Sequence, residues 1–225
     1  MEALGPQLIK FLEIIWVNII LSGDNAVVIA MACRSLPPAQ RRTGMVLGAG
    51  VAVGLRVIFT ILVATLLSTP FLKIIGSLLL LWVAVKLITG EDEGNEIAAS
   101  ERLMHAVRTI AIADAVMSLD NVLAIAAVAQ GSTALMVLGL AISIPLIVAG
   151  ATLIMALLER LPILVWAGAA LLGWIAGEML ISDPSLVDRL GEDTTHRLEV
   201  PIAALGAGLV LALGFALNRR SASAG

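Results

Sequence analysis

Ser22-Gly23-Asp24-Asn25 and Ser118-Leu119-Asp120-Asn121 place one polar pattern, Ser-x-Asp-Asn, inside two long apolar runs. Four residues before each serine stands another polar group, Asn18 in the first run and Asp114 in the second. Asn18, Ser22 and Asn25 are spaced to line one face of a helix, and Asp114, Ser118 and Asn121 do the same. Asp24 and Asp120 sit one residue off that face, about 100° around an ideal helix. Local unwinding at each motif would turn both acids toward one cavity and release backbone carbonyls as further ligands. Gly23 makes such a turn easy in the first copy, whereas Leu119 leaves the second copy less freedom.

The chemistry on offer is all oxygen. Carboxylates come from Asp24, Asp114 and Asp120, amide oxygens from Asn18, Asn25 and Asn121, and hydroxyls from Ser22 and Ser118. Hard divalent cations such as Mg²⁺, Ca²⁺ and Mn²⁺ prefer this set, while Zn²⁺ and Cu⁺ favour nitrogen and sulfur. Arg56 also falls inside an apolar run, as a gating charge that replaces the departing cation on the acids or as an ion-pair partner holding helices together. Three aspartates, one arginine and one divalent cation sum to zero charge. A purely structural role is the competing reading, but an acid at the centre of a spanning helix costs roughly 2.5–3.5 kcal/mol, and intramembrane acids are functional by default. Glu13, Glu178 and the acidic run Glu91, Asp92, Glu93 and Glu96 read as interfacial or solvated charges.

The elements that must position these groups are membrane helices. Hydrophobic residues make up 60% of the chain and charged residues 14%, against about 45–50% and ~25% in soluble domains. The pattern predicts an all-α polytopic membrane protein with seven transmembrane helices near 8–33, 44–67, 70–89, 106–130, 134–157, 161–181 and 200–217. Glu2 and the lack of a cationic head argue against a cleaved signal at the start. Cys33 is the single cysteine, which excludes an intrachain disulfide and a cysteine-built metal site. His105 and His196 flank different spans and read as loop or interface residues. A net charge of −3 without a basic-aromatic stretch gives no indication of nucleic-acid binding.

The second half of the chain repeats the first. Ser22, Asp24, Asn25, Ile29 and Ala30 match Ser118, Asp120, Asn121, Ile125 and Ala126; MVLG recurs at 45–48 and 136–139; Pro70, Gly76 and Trp82 match Pro162, Gly168 and Trp174. Three spans per copy is an odd number, so the second copy enters the membrane inverted, an architecture of secondary transporters. The expected organisation is a first three-helix repeat at 1–90, an acidic cytoplasmic linker at 91–105, and a second, inverted repeat at 106–181. An extracytoplasmic loop at 182–199 and a seventh helix with its tail at 200–225 complete it. Gly44, Gly48, Gly50 and Gly54 are expected to permit close helix packing.

Arg34, Arg41, Arg42, Lys86, Arg102, Arg108, Arg160, Arg219 and Arg220 collect on one side of the membrane, and Lys10, Lys73, Arg189 and Arg197 on the other. The richer side should be cytoplasmic, which puts the N-terminus outside and the C-terminus inside a cell inner (plasma) membrane.

LSGDNAVVIAMA at 21–32 and MSLDNVLAIAAVA at 117–129, with Leu36-Pro37, resemble the TerC family of membrane proteins over essentially the whole chain. The resemblance implies Mn²⁺ export and implies that Asp24, Asn25, Asp120 and Asn121 carry it; Mn²⁺ is then a transported ion and no cofactor is expected. Without a nucleotide-binding loop, uphill export draws on the proton gradient or the membrane potential, with protons as coupling ion and Asp114 as the coupling acid. The bilayer is the surrounding partner, and assembly into homo-oligomers stays open. Transport of Ca²⁺ or another divalent cation stays open as well. Two other classes stand beside transport: a membrane scaffold or insertion helper with structural buried acids, and an intramembrane aspartyl enzyme, for which no further catalytic signature is present.

Overall fold

The computed structural model describes residues 23–62, 71–89, 99–129 and 133–223, together with Leu12, Ile15 and Thr69. Eight helices account for nearly all of them: α1 (Gly23–Cys33), α2 (Pro38–Ile61), α3 (Leu72–Thr89), α4 (Ala99–Ala129), α5 (Thr133–Arg160), α6 (Ile163–Ile181), α7 (Pro184–Leu190) and α8 (Glu192–Ser223). Among the described residues, five helices are long and apolar enough to cross a membrane, namely α2, α3, α5, α6 and α8. α1 is a shorter apolar helix. The chain is an all-helical, multi-pass integral membrane protein.

The helices form two compact units. One takes residues 1–67 and 97–156, with α1, α2, α4 and most of α5; the other takes 68–96 and 157–225, with α3, α6, α7 and α8. Each unit therefore draws on both halves of the chain.

In the first unit α2 packs along α4, and α1 packs against both. Small residues set the spacing. A Cβ at Gly48 would lie 2.5 Å from Ile110 Cδ1, and one at Gly44 would lie 2.7 Å from Leu36 Cδ1. A Cβ at Gly50 or Gly54, expected to share this role, would meet nothing within 4 Å beyond its own helix, so neither takes part in the contact. Their positions put them on the opposite side of α2 from the buried stripe at 44, 48, 52 and 56. The turn into α2 carries Leu36-Pro37-Pro38, with Pro38 in the first helical turn, where its missing N–H costs nothing. Arg41 reaches back to donate to the carbonyls of Leu36 and Arg34, at 3.0 and 3.2 Å, in the turn that follows α1.

In the second unit α8 packs against α6, and α3 against α6 and α8. Here the backbones themselves touch. A Cβ at Gly173 would lie 2.6 Å from the Gly206 carbonyl oxygen, and one at Gly177 would lie 2.6 Å from Ala203 Cα. Glycines four residues apart on α6 thus make a flat strip for α8, as small residues do in membrane helix pairs.

The connection at 182–199, expected to be a loop, is helical: α7 fills its first part and α8 begins at Glu192, not near residue 200. Asp183 organises it. Its carboxylate caps α7 by accepting from the Ser185 amide at 2.9 Å and from the Ser185 hydroxyl. It also accepts from the amides of Phe71, Lys73 and Ile74 at 3.3, 3.1 and 3.3 Å, so one side chain satisfies the starts of both α7 and α3. Burial works against the charged carboxylate, but the bonds from Ser185, Ile74 and Phe71 outweigh it and hold Asp183 below the ordinary carboxylate range. Phe71 adopts φ 63°, the left-handed region, a conformation that costs about 1–3 kcal/mol in a non-glycine residue.

Candidate functional site

Periodicity delivers the site. On α2 the buried residues fall at 44/45, 48/49, 52/53, 56 and 60, one stripe of mostly small side chains that includes Arg56. On α4 Ala106, Thr109, Ile110, Ala113, Asp114, Met117 and Ser118 are buried along one stripe, with Val116 buried off it. The Gly48–Ile110 contact brings these stripes together, so charged groups further along both helices meet inside an apolar surround.

Arg56 and Asp114 are 1% and 2% exposed, and Arg56 Nη2 donates to Asp114 Oδ1 at 2.9 Å. Arg56 Nε donates to Ser118 Oγ at 3.1 Å, and that hydroxyl donates to Asp114 Oδ2 at 3.0 Å. The three side chains close a ring in which the guanidinium fork spans one helical turn of α4. Each bond is charge-assisted, and such bonds are about twice as strong as neutral ones. Thr60 Oγ1 donates to the Arg56 carbonyl at 2.7 Å, tying the next turn of α2 to the same place.

Asp24, in the first turn of α1, lies within electrostatic range of both Arg56 and Asp114. Its Oδ1 accepts from the Asn25 amide at 2.8 Å. The Asn25 side chain is 3% exposed on the same helix. Of the residues expected to form the site, the structure thus gathers Asp24, Asn25, Asp114, Ser118 and Arg56 in one unit. Asp120 and Asn121 follow on α4, and the description of their side chains stops short of them; Asn18 and Ser22 lie outside the described residues. Among the described residues, no three His, Cys, Asp or Glu side chains gather as a metal-holding group.

One expectation is corrected. α4 runs as an unbroken α-helix from Ala99 to Ala129, straight through Ser118-Leu119-Asp120-Asn121, so no unwound turn occurs there. Leu119 supplies none of the freedom of glycine, and an opened turn would leave backbone groups unsatisfied in hydrocarbon. In the first copy Gly23, Asp24 and Asn25 are helical as well, so no unwinding is seen at these positions, and Ser22 lies outside the described residues. Glu178, read as interfacial, accepts the indole N–H of Trp174 at 2.6 Å, one turn earlier on α6. His196 is exposed and contacts Glu199 at 3.0 Å, in keeping with a peripheral role.

A protein with 41% identity over 195 residues, 87% of this chain and 89% of its own length, is the "Uncharacterized membrane protein YjbE" of Bacillus subtilis (strain 168). The "Uncharacterized membrane protein YceF" of the same organism is 28% identical over 170 residues, 71% of this chain and 66% of that protein. No solved structure matches. The model of the "Integral membrane protein TerC family" matches residues 4–222. Because the family model covers nearly the full length, the chain belongs to the TerC family of integral membrane proteins.

Proposed function

We propose that the protein is a secondary transporter that exports a hard divalent cation, Mn²⁺ foremost, by alternating access in the cell inner membrane. The carrying observation is the buried ring of Arg56, Asp114 and Ser118, with Asp24 in electrostatic range, among helices built to lie in lipid. A cation arriving there takes carboxylate oxygens from Asp24 and Asp114, with the Ser118 hydroxyl and the Asn25 amide oxygen beside them. Asp120, Asn121, Asn18 and Ser22 complete the set in this reading. Arg56 is the internal substitute: it neutralises Asp114 when no cation is held and withdraws when one arrives. The protein's part is binding and release, with no bond made or broken, and the proton gradient or the membrane potential drives it.

Seven spans in two inverted three-helix repeats belong to the same proposal, because α1 and α4 then hold equivalent places with their Asp-Asn pairs facing one site. The arginine-rich side, with the C-terminus, is cytoplasmic.

The test is cellular manganese by elemental analysis in Mn²⁺-loaded cells. Wild-type protein should lower it, and an Asp24→Asn/Asp120→Asn variant at matched membrane level should not. Equal manganese in both, with Ca²⁺ and Mg²⁺ also equal, would sink the transport reading and favour a scaffold, in which the Arg56–Asp114 pair simply joins α2 to α4.

A further inference from the structure

On the second unit, α6 and α8 part near one end to leave an apolar groove of about 620 Å³. Ile163, Trp166, Ala167 and Ala170 line it from α6 and Leu211, Ala212 and Phe215 from α8. The α6 positions recur at i, i+3, i+4 and i+7, a single stripe, and the approaches of Gly177 to Ala203, Gly173 to Gly206 and Trp166 to Gly214 show the helices running antiparallel, the start of α6 against the end of α8. The alanines keep the trough open, and the larger side chains flank it. It lies open to the surroundings, with Ile163 69% and Phe215 52% exposed.

Its end is cationic. The Arg219 guanidinium stacks over the Phe215 ring at 4.3 Å from the centroid, so a fixed positive charge sits on a residue that lines the groove. Arg160, exposed at the close of α5, stands three residues before Ile163, across the break at Leu161-Pro162. Glu159 adds one opposing carboxylate beside it. The stripe from Ile163 to Ala170 rises about 10 Å along α6, roughly two-thirds of a ~15 Å leaflet. A trough of this length, apolar along its course and basic at the membrane boundary, has the polarity profile of a phospholipid. Basic pockets between membrane helices are the usual form of an acidic headgroup site.

We propose that this groove is a binding site for an acidic phospholipid, with an acyl chain laid between α6 and α8 and the phosphate on Arg219 and Arg160. The lipid acts as a fitted part of the second unit, and the cation site in the first unit is not involved.

Trp166 provides the readout. In a variant with Trp16, Trp82 and Trp174 replaced by Phe, reconstituted in phosphatidylcholine bilayers, acyl-brominated phosphatidylglycerol should quench Trp166 at a mole fraction several-fold lower than brominated phosphatidylcholine. R219Q/R160Q should erase that preference while general quenching remains. A212L, which fills the trough, should abolish low-fraction quenching by phosphatidylglycerol with helix content unchanged by circular dichroism. Equal quenching by both lipids at every fraction overturns the proposal in favour of ordinary bulk lipid. Trp166 shielded from both lipids, together with a dimer in cross-linking, overturns it in favour of a second copy of the chain. If A212L unfolds, A170L serves in its place, and unchanged phosphatidylglycerol quenching in a folded filled variant also overturns it.

Discussion

Asp114 on α4 and Asp183 at the start of α7 are both withdrawn from solvent, 2% and 0% exposed. Asp114 is held by side chains, the guanidinium of Arg56 on the long apolar helix α2 and the hydroxyl of Ser118 one turn on along α4. Asp183 is held mainly by backbone amides, three at the start of α3 and one in α7, with the Ser185 hydroxyl beside them. A backbone amide at a helix start has no other place to go, so its acceptor is part of the fold. An arginine side chain has several rotatable bonds and can give up its carboxylate to another cation. The contrast separates an acid that builds from one that can exchange.

Removing either charge from the Arg56–Asp114 pair gives the largest expected effect. Arg56→Gln and Asp114→Asn should each cost about 3–5 kcal/mol, because each strands a buried charge or its partner. The double variant should cost clearly less than the sum of the two, as coupled residues do. Equilibrium unfolding in mild detergent checks this. The same proteins sharpen the comparison: Mn²⁺ should raise the unfolding midpoint of Arg56→Gln more than that of wild type, since the acids no longer have an internal cation. A ligand at a hundred times its Kd adds about 2.7 kcal/mol. An Arg56→Gln protein indifferent to Mn²⁺ would place Asp114 with Asp183, among the building acids.

Asp183→Ala should cost about 2–4 kcal/mol through lost charge-assisted bonds and a lost cap, without altering the response to Mn²⁺. The folded-state pKa is depressed, so this contribution is complete above the unfolded value of about 3.9 and is lost as pH falls through the folded value. The stability gap between wild type and Asp183→Asn should therefore narrow on acidification below about pH 4 and stay constant above it. A gap that widens toward acid would contradict the amide-held carboxylate.

The smallest effects come from glycines. Gly173→Ala should destabilise by about 1–3 kcal/mol, since its Cβ would run into the α8 backbone. Gly50→Ala, with open space around it, should stabilise by about 0.5–1 kcal/mol through helix propensity alone. Thermal unfolding of the two variants side by side decides it.

What could be read before folding follows from the range of each signal. Periodicity is local, so the apolar helices and the shared face of Asp114 and Ser118 were legible. The expense of a mid-membrane charge is also local, and it marked Arg56, Asp24 and Asp114 without naming their partners. Arg56 and Asp114 are 58 positions apart, and their meeting depends on Gly48 letting α2 approach Ile110. Asp183 had a local signature as well, Asp-Pro-Ser at a helix start, which accounts for α7. Its hold on α3, 109 to 112 residues away, had none. Among the glycines of α2, spacing alone separates Gly44 and Gly48 from Gly50 and Gly54, and the inner face is known only once a neighbouring helix is placed.

The ion pair also fixes an order of events in biosynthesis. Arg56 leaves the ribosome 58 residues ahead of Asp114, which at about 5–20 residues per second is a wait of roughly 3–12 s. During that interval α2 must enter hydrocarbon without the carboxylate that pairs with its arginine, Asp24 of α1 being the nearest acid already made, and a mid-span arginine costs about 2.5–3.5 kcal/mol. Its lodging in the bilayer becomes secure only when α4 is threaded in beside it, so the insertion machinery must keep hold of the early helix until the later one emerges.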